Sequence, residues 1–161
     1  MIQFRNLLAS LHSNQVAFVV IGGVAATLHG SARVTSDLDV VYERSPENLA
    51  RIVAALSLFQ PYLRGAPPGL PFKFDAETLK RGLNFTLTTT EGPIDLLGEV
   101  SGLGAYRAVR EHAVEAELFG ATYLFLDLDG LIQSKKAAGR PKDLETIAEL
   151  EAIRNQRGSS E

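Results

Sequence analysis

The chain lacks cysteine entirely and has no long uninterrupted hydrophobic run. The absence of cysteine excludes disulfide bonds and cysteine-ligated zinc sites. The longest apolar stretch, residues 16–26, is interrupted by two glycines and is too short to cross a membrane. Arg5 interrupts the apolar residues of the N-terminus, which is not the pattern of a secretion signal. We therefore expect a soluble, cytoplasmic protein with no membrane partner.

A large excess of positive charge is also missing. The 161 residues include 16 Lys and Arg and 19 Asp and Glu, for a net charge of −3. Proteins that coat nucleic acid are strongly basic, so we predict no broad nucleic-acid coating and only local contact with any RNA. The length fits one domain, which we predict over residues 1–154, followed by a frayed tail over 155–161.

Two glycines mark the first chemically informative segment. The short apolar run at residues 16–21 is rich in β-branched side chains, which predicts a buried strand ending at Gly22 and Gly23. A short helix is expected over residues 24–28, with Gly30 at its C-terminal cap. A strand that passes through glycines into a helix presents free backbone N–H groups, which suit a triphosphate.

Two aspartates lie on the next predicted strand, residues 37–41. The alternation of a strand places Asp37 and Asp39 on one face, with their Cα atoms about 6.5–7 Å apart. Carboxylates this close repel each other unless a cation lies between them, and Mg²⁺ prefers oxygen ligands together with substrate phosphates. The pair predicts a metal site; the alternative is that Asp37 caps a turn while Asp39 is a solvated strand residue.

A third aspartate lies in a predicted hairpin. Residues 84–90 alternate in polarity, Glu91-Gly92-Pro93 forms a turn, and a second apolar run begins at Ile94. Asp95 is inside that second run, so it faces either solvent or a site. A third carboxylate ligand would complete a two-metal cluster.

The glycine pair followed by the two aspartates resembles the signature of the nucleotidyltransferase superfamily. That superfamily includes DNA polymerase β, the kanamycin-type antibiotic nucleotidyltransferases and the minimal nucleotidyltransferases. The residues around the signature, His29-Gly30, Arg33 and Thr35, give a closer resemblance to bacterial AbiEii-type toxins and related minimal nucleotidyltransferases. The resemblance implies an α/β (α+β) fold in which helices flank a mixed, antiparallel-rich central sheet.

The resemblance also implies an activity. An NMP group would move from an NTP to the hydroxyl of an acceptor, which is RNA, a protein or a small molecule. Mg²⁺ or Mn²⁺ would be held by the three aspartates, and Asp95 would also orient or deprotonate the attacking hydroxyl. Gly22 and Gly23 would bind the triphosphate through their backbone N–H groups. A toxin or antitoxin partner is a further implication of the family.

A basic segment near the C-terminus provides the second part of the resemblance. Between Asp129 and Asp143 there are four basic residues and no acid. Such a segment can bind the β- and γ-phosphates and neutralise the leaving pyrophosphate. Lys135 matches the family's helix lysine, and Lys136 and Arg140 are expected to assist it. The alternatives are a basic surface helix and, for Asp143, a cap of the final helix.

Two further residues are assigned to nucleotide binding. Arg33 and Thr35 are expected to order the loop before the aspartates or to contact phosphate. The alternative for Arg33 is a salt bridge that positions Asp37 or Asp39.

Other interpretations of the function remain. A nucleotidyltransferase fold can serve a catalytically silent binding or regulatory protein. A third interpretation is a phosphatase, because Asp127-Leu128-Asp129-Gly130 after an apolar run imitates the opening of haloacid-dehalogenase-type phosphatases. Too few residues follow to build that fold, so we expect Asp127 or Asp129 to cap a helix. Residues 60–72, rich in proline and glycine, are predicted to form a loop.

Overall fold

The computed structural model describes residues 4–160, with side chains up to residue 158. Its helices are α1 (Arg5–Ser13), α2 (Gly22–Leu28), α3 (Pro46–Leu56), α4 (Ala76–Arg81), α5 (Tyr106–Arg110), α6 (Leu128–Ala138) and α7 (Leu144–Ser160). Its strands are β1 (Phe18–Ile21), β2 (Leu38–Tyr42), β3 (Tyr62–Leu63), β4 (Phe85–Thr88), β5 (Ile94–Leu97), β6 (Glu99–Val100), β7 (Gly104–Ala105), β8 (Ala113–Leu118) and β9 (Ala121–Leu126). Short 3₁₀ turns cover Ser57–Phe59 and Pro141–Asp143.

The main sheet has seven strands in the order β3-β4-β5-β2-β1-β9-β8. The pairs β2–β5 and β1–β9 are parallel, and the other neighbours are antiparallel. The short strands β6 and β7 form a separate antiparallel pair. The prediction of a mixed, antiparallel-rich sheet flanked by helices is confirmed.

The hydrophobic core surrounds the central strands. All four residues of β1 are buried, which explains why its sequence is continuously apolar instead of alternating. Helix α1 buries Leu7, Leu8 and Leu11 and packs against α3, while α6 packs against α7. Ser45 caps the start of α3, because its side chain accepts a hydrogen bond from the Asn48 N–H at 3.3 Å. This core fixes the strands that carry the polar site.

One segment differs from the sequence predictions, and a second stays a prediction. The predicted loop at residues 60–72 contains β3, which forms one edge of the sheet by pairing with β4. A strand of two residues among prolines is too short to show alternation, so the sequence contains no signal for it. The frayed tail over residues 155–161 stays a prediction: the described part of α7 is helical to Ser160 and Arg157 hydrogen-bonds to His29, while Glu161 lies outside the described residues. Tertiary contact at this end of the helix was not visible in the local sequence.

No helix within residues 4–160 combines the length and the apolar character needed to span a bilayer.

Candidate active site

A row of residues across the sheet builds the site. Asp39 on β2 pairs with Asp95 on the parallel strand β5, and on its other side with Ile21 at the end of β1. Paired positions of neighbouring strands project from the same face of a sheet. Asp37 immediately precedes β2, and Gly22 immediately follows β1. The sheet register therefore gathers the three predicted aspartates beside the glycine turn.

The three carboxylates form one cluster. Ligand oxygens of Asp37, Asp39 and Asp95 all lie within 4.8 Å of one another, and each residue is half-buried. Oδ1 of Asp95 is fully buried and accepts no well-aligned hydrogen bond within the described part of the chain, although the guanidinium of Arg64 lies close to it. Oxygen atoms in this arrangement are the donor set that Mg²⁺ and Mn²⁺ prefer. The residues present thus fit a divalent cation.

The pKa values of the cluster reflect the cost of burying carboxylates close together. Burial first, and then the charges of Asp37 and Asp95, together raise the pKa of Asp39 to about 8. The pKa of Asp37 is also raised, first by burial and then by Asp95, while Arg64 opposes the increase. Without a cation, a proton therefore remains on the cluster near neutral pH. A divalent cation would relieve the same repulsion.

The glycine turn approaches the acids closely. Gly22 has φ +64°, and a Cβ atom on it would overlap with the carboxylate of Asp39. A Cβ atom on Gly23 would overlap with the hydroxyl of Thr35. Both positions therefore require glycine, and no side chain among the described residues caps the start of α2. The predicted phosphate-binding turn lies directly against the acid cluster.

Arg64 is a site residue that the sequence analysis missed. Its Nη2 lies 2.8 Å from Oδ1 of Asp95, and its Nη1 lies 3.8 Å from Oδ2 of Asp37. The residue follows the edge strand β3, in the segment predicted as a loop. The one signal that could have found it is a lone basic residue among the prolines and glycines of residues 60–72.

Lys135 faces the acids from α6. Its Nζ lies 3.5 Å from Oδ1 of Asp143, and Nε of Arg140 lies 2.7 Å from Oδ2 of the same carboxylate. Burial opposes ionisation of Asp143, but Arg140 and Lys135 outweigh it and lower its pKa. Asp143 thus fixes these two cations, in addition to any role at the start of α7. Lys136 points elsewhere, with its Nζ 3.1 Å from a carboxylate oxygen of Glu151.

The fold matches that of solved structures. No known protein-family model matches the chain, and neither does any curated protein sequence. A candidate nucleotidyltransferase, TM1012 from Thermotoga maritima, superimposes with a TM-score of 0.60 at 17% identity, over 91% of this chain and 88% of that one. The antibiotic-resistance factor ANT(2″)-Ia superimposes with a TM-score of 0.56 in solution and in complex with adenylyl-2″-tobramycin.

The ANT(2″)-Ia matches have 14% and 13% identity and cover 98% of this chain and 90% and 95% of the other. This chain has the nucleotidyltransferase fold. None of these three structures is described as an AbiEii-type toxin, so that closer resemblance stays a prediction.

Two clefts of the nucleotidyltransferase fold meet at the acid cluster. One, of about 360 Å³, extends over Asp95 towards polar side chains that lie just before β4, in β6 and just after it, and on α6 or just after it. These side chains belong to Asn84, Glu99, Ser101, Ser134 and Arg140. The other, of about 240 Å³, extends over Gly23 and Asp37. Gly22, Asp39 and Lys135 line both clefts, so two reactants can meet above them.

The loop before β2 is held by contacts other than those expected. Arg33 forms ion pairs with Glu145 at 3.3 Å and with Glu149 at 3.6 Å, both on α7. The alternative of a salt bridge from Arg33 to Asp37 or Asp39 is wrong, because these opposite charges on α7 lie within reach. Thr35 donates a hydrogen bond from Oγ1 to the carbonyl oxygen of Asp37 at 3.0 Å. Both residues order the loop, and both line the smaller cleft.

Asp127 and His29 have structural contacts in this fold. Asp127 begins α6, because its Oδ1 accepts a hydrogen bond from the Gly130 N–H at 2.6 Å. The phosphatase-like motif is thus used as the helix cap that we expected. His29 is buried, with Nε2 at 2.9 Å from the Leu126 carbonyl and Nδ1 at 3.2 Å from Arg157. Since arginine can only donate, Nδ1 accepts, Nε2 carries the proton and the ring is neutral.

Proposed function

We propose that this chain is a divalent-metal-dependent nucleotidyltransferase that moves an NMP group from an NTP to a hydroxyl group of an acceptor. The observation that carries the proposal is the cluster of Asp37, Asp39 and Asp95 within 4.8 Å. A cluster of acids is common on protein surfaces, but this one lies against a glycine turn and a lysine in a nucleotidyltransferase fold. These features together support transfer chemistry over a structural role.

The acid cluster would hold Mg²⁺ or Mn²⁺, and two of these ions would be bound for two-metal catalysis. When bound, such ions polarise the reacting phosphate and offset the charge that develops in the transition state. The backbone N–H groups of Gly22 and Gly23 would bind the triphosphate, and its α-phosphate would then lie near Asp39. Lys135 would stabilise the charge of the departing pyrophosphate, and Arg140 would support Lys135 through Asp143.

The order of residues across the sheet supports an acceptor site on the Asp95 side of the cluster. Asp95 lies on the side of Asp39 away from the glycine turn, and it lines the larger cleft. The acceptor oxygen would attack the α-phosphorus in line, and the bond from that phosphorus to the bridging oxygen of the β-phosphate would break. The hydroxyl proton would pass to the carboxylate of Asp95. Pyrophosphate would leave past Lys135.

The acceptor belongs to one of three classes: RNA, a protein or a small molecule. The complex of ANT(2″)-Ia with adenylyl-2″-tobramycin gives an example of a small-molecule acceptor in this fold. The larger cleft, about 360 Å³, is of a size that takes a small ligand. A toxin or antitoxin partner remains part of the proposal through the sequence resemblance.

Label transfer tests the proposal. Each α-³²P-labelled NTP is incubated with the protein, Mg²⁺ or Mn²⁺, and a cell lysate, and the products are tested for nuclease and protease sensitivity. Wild type is compared with Asp39→Asn and with the control Asp129→Asn, whose exposed carboxylate pairs with Arg154 on the protein surface. We expect a labelled product that requires Asp39 and not Asp129. Binding of metal and NTP without transfer would favour a silent binding protein, and no binding would contradict the proposal.

A further inference from the structure

The cation nearest to the acceptor end of the acid cluster is Arg64. It approaches Asp95 at 2.8 Å and Asp37 at 3.8 Å. Its side chain is half-buried. We infer that Arg64 is a positioning residue: its guanidinium holds Asp95 in the cluster and lowers the affinity of the cluster for a divalent cation. Only the effect of Arg64 on kcat depends on the proposed function.

The backbone of Arg64 is fixed by the sheet. Tyr62 and Leu63 pair with β4, and the Arg64 N–H extends this ladder by donating to the Thr86 carbonyl at 3.0 Å. Thr86 in turn pairs with Asp95. Arg64 therefore continues the row that contains Asp39 and Asp95, one strand beyond β4.

The side chain of Arg64 is also fixed. Its Nη2 donates a hydrogen bond to the Leu87 carbonyl at 2.6 Å while lying against Asp95. Its Nε is buried and has no hydrogen-bond acceptor among residues 4–160. The guanidinium is thus attached on one side to the backbone of β4 and on the other to the acids. The guanidinium contacts two carboxylates and one backbone carbonyl of the protein itself. Any effect of Arg64 on the reaction therefore passes through these groups.

The charge of Arg64 has two opposite consequences. In the metal-free protein it attracts two of the three acids and reduces their mutual repulsion. A divalent cation held by the same carboxylates would lie a few ångström from a guanidinium that cannot lose its proton, and the two cations would repel. Arg64 therefore keeps the cluster assembled before a metal binds and weakens the binding when it does.

Calorimetric titration of the full chain with Mn²⁺ tests the electrostatic part. We expect Arg64→Gln to bind Mn²⁺ about ten-fold more tightly than wild type, and Arg64→Lys, which keeps the charge, to stay within about three-fold. The matched control is Arg81→Gln, because Arg81 forms a similar ion pair with Glu77 on the exposed surface of α4. That control should bind Mn²⁺ as wild type does. Unchanged or weaker binding by Arg64→Gln would overturn the inference.

Thermal unfolding in EDTA tests the contact with Asp95. Arg64→Gln should lower Tm by about 3–6 °C in the wild-type background and by less than half of that in an Asp95→Asn background. If Arg64→Gln alone fails to fold, rescue by Asp95→Asn supports the inference. An equal loss in both backgrounds, or failure of both proteins to fold, would overturn it.

A kinetic readout separates positioning from general structural damage. At saturating Mn²⁺, Arg64→Gln should lower kcat about ten-fold without raising KM for the NTP, since the proposed triphosphate site at the glycine turn is at the opposite end of the row. Arg64→Lys should recover part of kcat. The measurements of Mn²⁺ binding and of thermal unfolding need no turnover. An absence of label transfer would therefore overturn the proposed function, and these two measurements would still test the role of Arg64.

Discussion

Asp39 and Asp95 are directly paired in the parallel ladder between β2 and β5, although they lie far apart in the sequence. Two hydrogen-bonded strands, instead of mobile loops, hold their carboxylates side by side. The rigidity of the ladder prevents the acids from separating to relieve their repulsion. Burial of Asp39, together with the charges of Asp37 and Asp95 held beside it, raises its pKa to about 8.

The first prediction concerns stability without metal. A carboxyl whose folded-state pKa is raised from 3.8 to about 8 stabilises the fold at low pH and loses that contribution as the pH rises through this window. In EDTA, wild-type Tm should therefore fall between pH 5 and pH 8. Asp39→Asn should flatten the dependence of Tm on pH. At pH 8 its Tm should exceed that of the wild type by about 4–8 °C, which corresponds to about 2 kcal/mol in the free energy of unfolding. Scanning calorimetry measures this, with Asp129→Asn as control; parallel profiles would contradict it.

The second prediction concerns the pH dependence of metal binding. A divalent cation must displace the proton that burial and the neighbouring acids keep on Asp39. The affinity for Mn²⁺ should therefore increase about ten-fold for each pH unit between pH 6 and pH 7, and more gradually towards pH 8. Calorimetric titration at each pH, in two buffers of different ionisation enthalpy, measures both affinity and proton release. Equal affinities without proton release would show that Asp39 is not a ligand.

The third prediction concerns the close approach of the glycine turn. Gly22→Ala should lower label transfer about 100-fold or more, because the new methyl group would displace the carboxylate of Asp39. The matched control is Gly120→Ala in the β8–β9 turn. Gly120 also has positive φ, +79°, but has open space around it. If both variants lose transfer to the same degree, backbone strain and not the contact with Asp39 is responsible.

The fourth prediction compares two adjacent lysines on α6. Lys135→Ala should lower kcat/KM about 100-fold, because Lys135 lines both clefts beside the acids. Lys136→Ala should lower it by less than about three-fold, since the Lys136 ammonium pairs with Glu151 on the exposed surface. Steady-state kinetics with the preferred NTP makes the comparison. A large effect of Lys136→Ala would support its predicted role in nucleotide binding and contradict this expectation.

The fifth prediction concerns the end of α7. Arg157→Ala should lower Tm by about 2–6 °C, because it leaves Nδ1 and the carbonyl oxygen of the buried His29 without this donor. The control is Arg154→Ala on the same helix, whose ion pair with Asp129 is exposed and contributes little. Thermal unfolding at pH 7.5 measures both. Deletion of residues 155–161 with no loss of Tm would support the predicted frayed tail instead.

His29 also shows how burial decides the state of a residue that sequence alone leaves open. Burial lowers its pKa, and the charge of Arg157 lowers it further. The neutral ring therefore stabilises the fold above pH 6.5, and this contribution is lost as the pH falls through the lowered pKa. The sequence indicated only that a histidine at the end of a short helix usually packs or interacts with the helix dipole.

Much of the site was predictable because its signals are local. The glycines that end β1, the alternation that carries Asp37 and Asp39, and the hairpin containing Asp95 each occupy a few consecutive residues. Local backbone preferences and side-chain periodicity are sufficient to recognise such segments. The resemblance to nucleotidyltransferases then supplied the expectation that these segments meet.

The ionic contacts of Arg33 and Arg64 depend on which strands and helices become neighbours in the fold. Arg33 reaches α7 instead of the acids, and Arg64 reaches the acids from an edge strand that the sequence did not reveal. A side chain selects its ionic partner by distance and burial, which are set by strand order and helix packing and not by sequence separation. The sequence by itself was sufficient to identify the three acids, the glycine turn and the kind of fold, because each has a local pattern. Only the tertiary structure decided which cation lies against those acids.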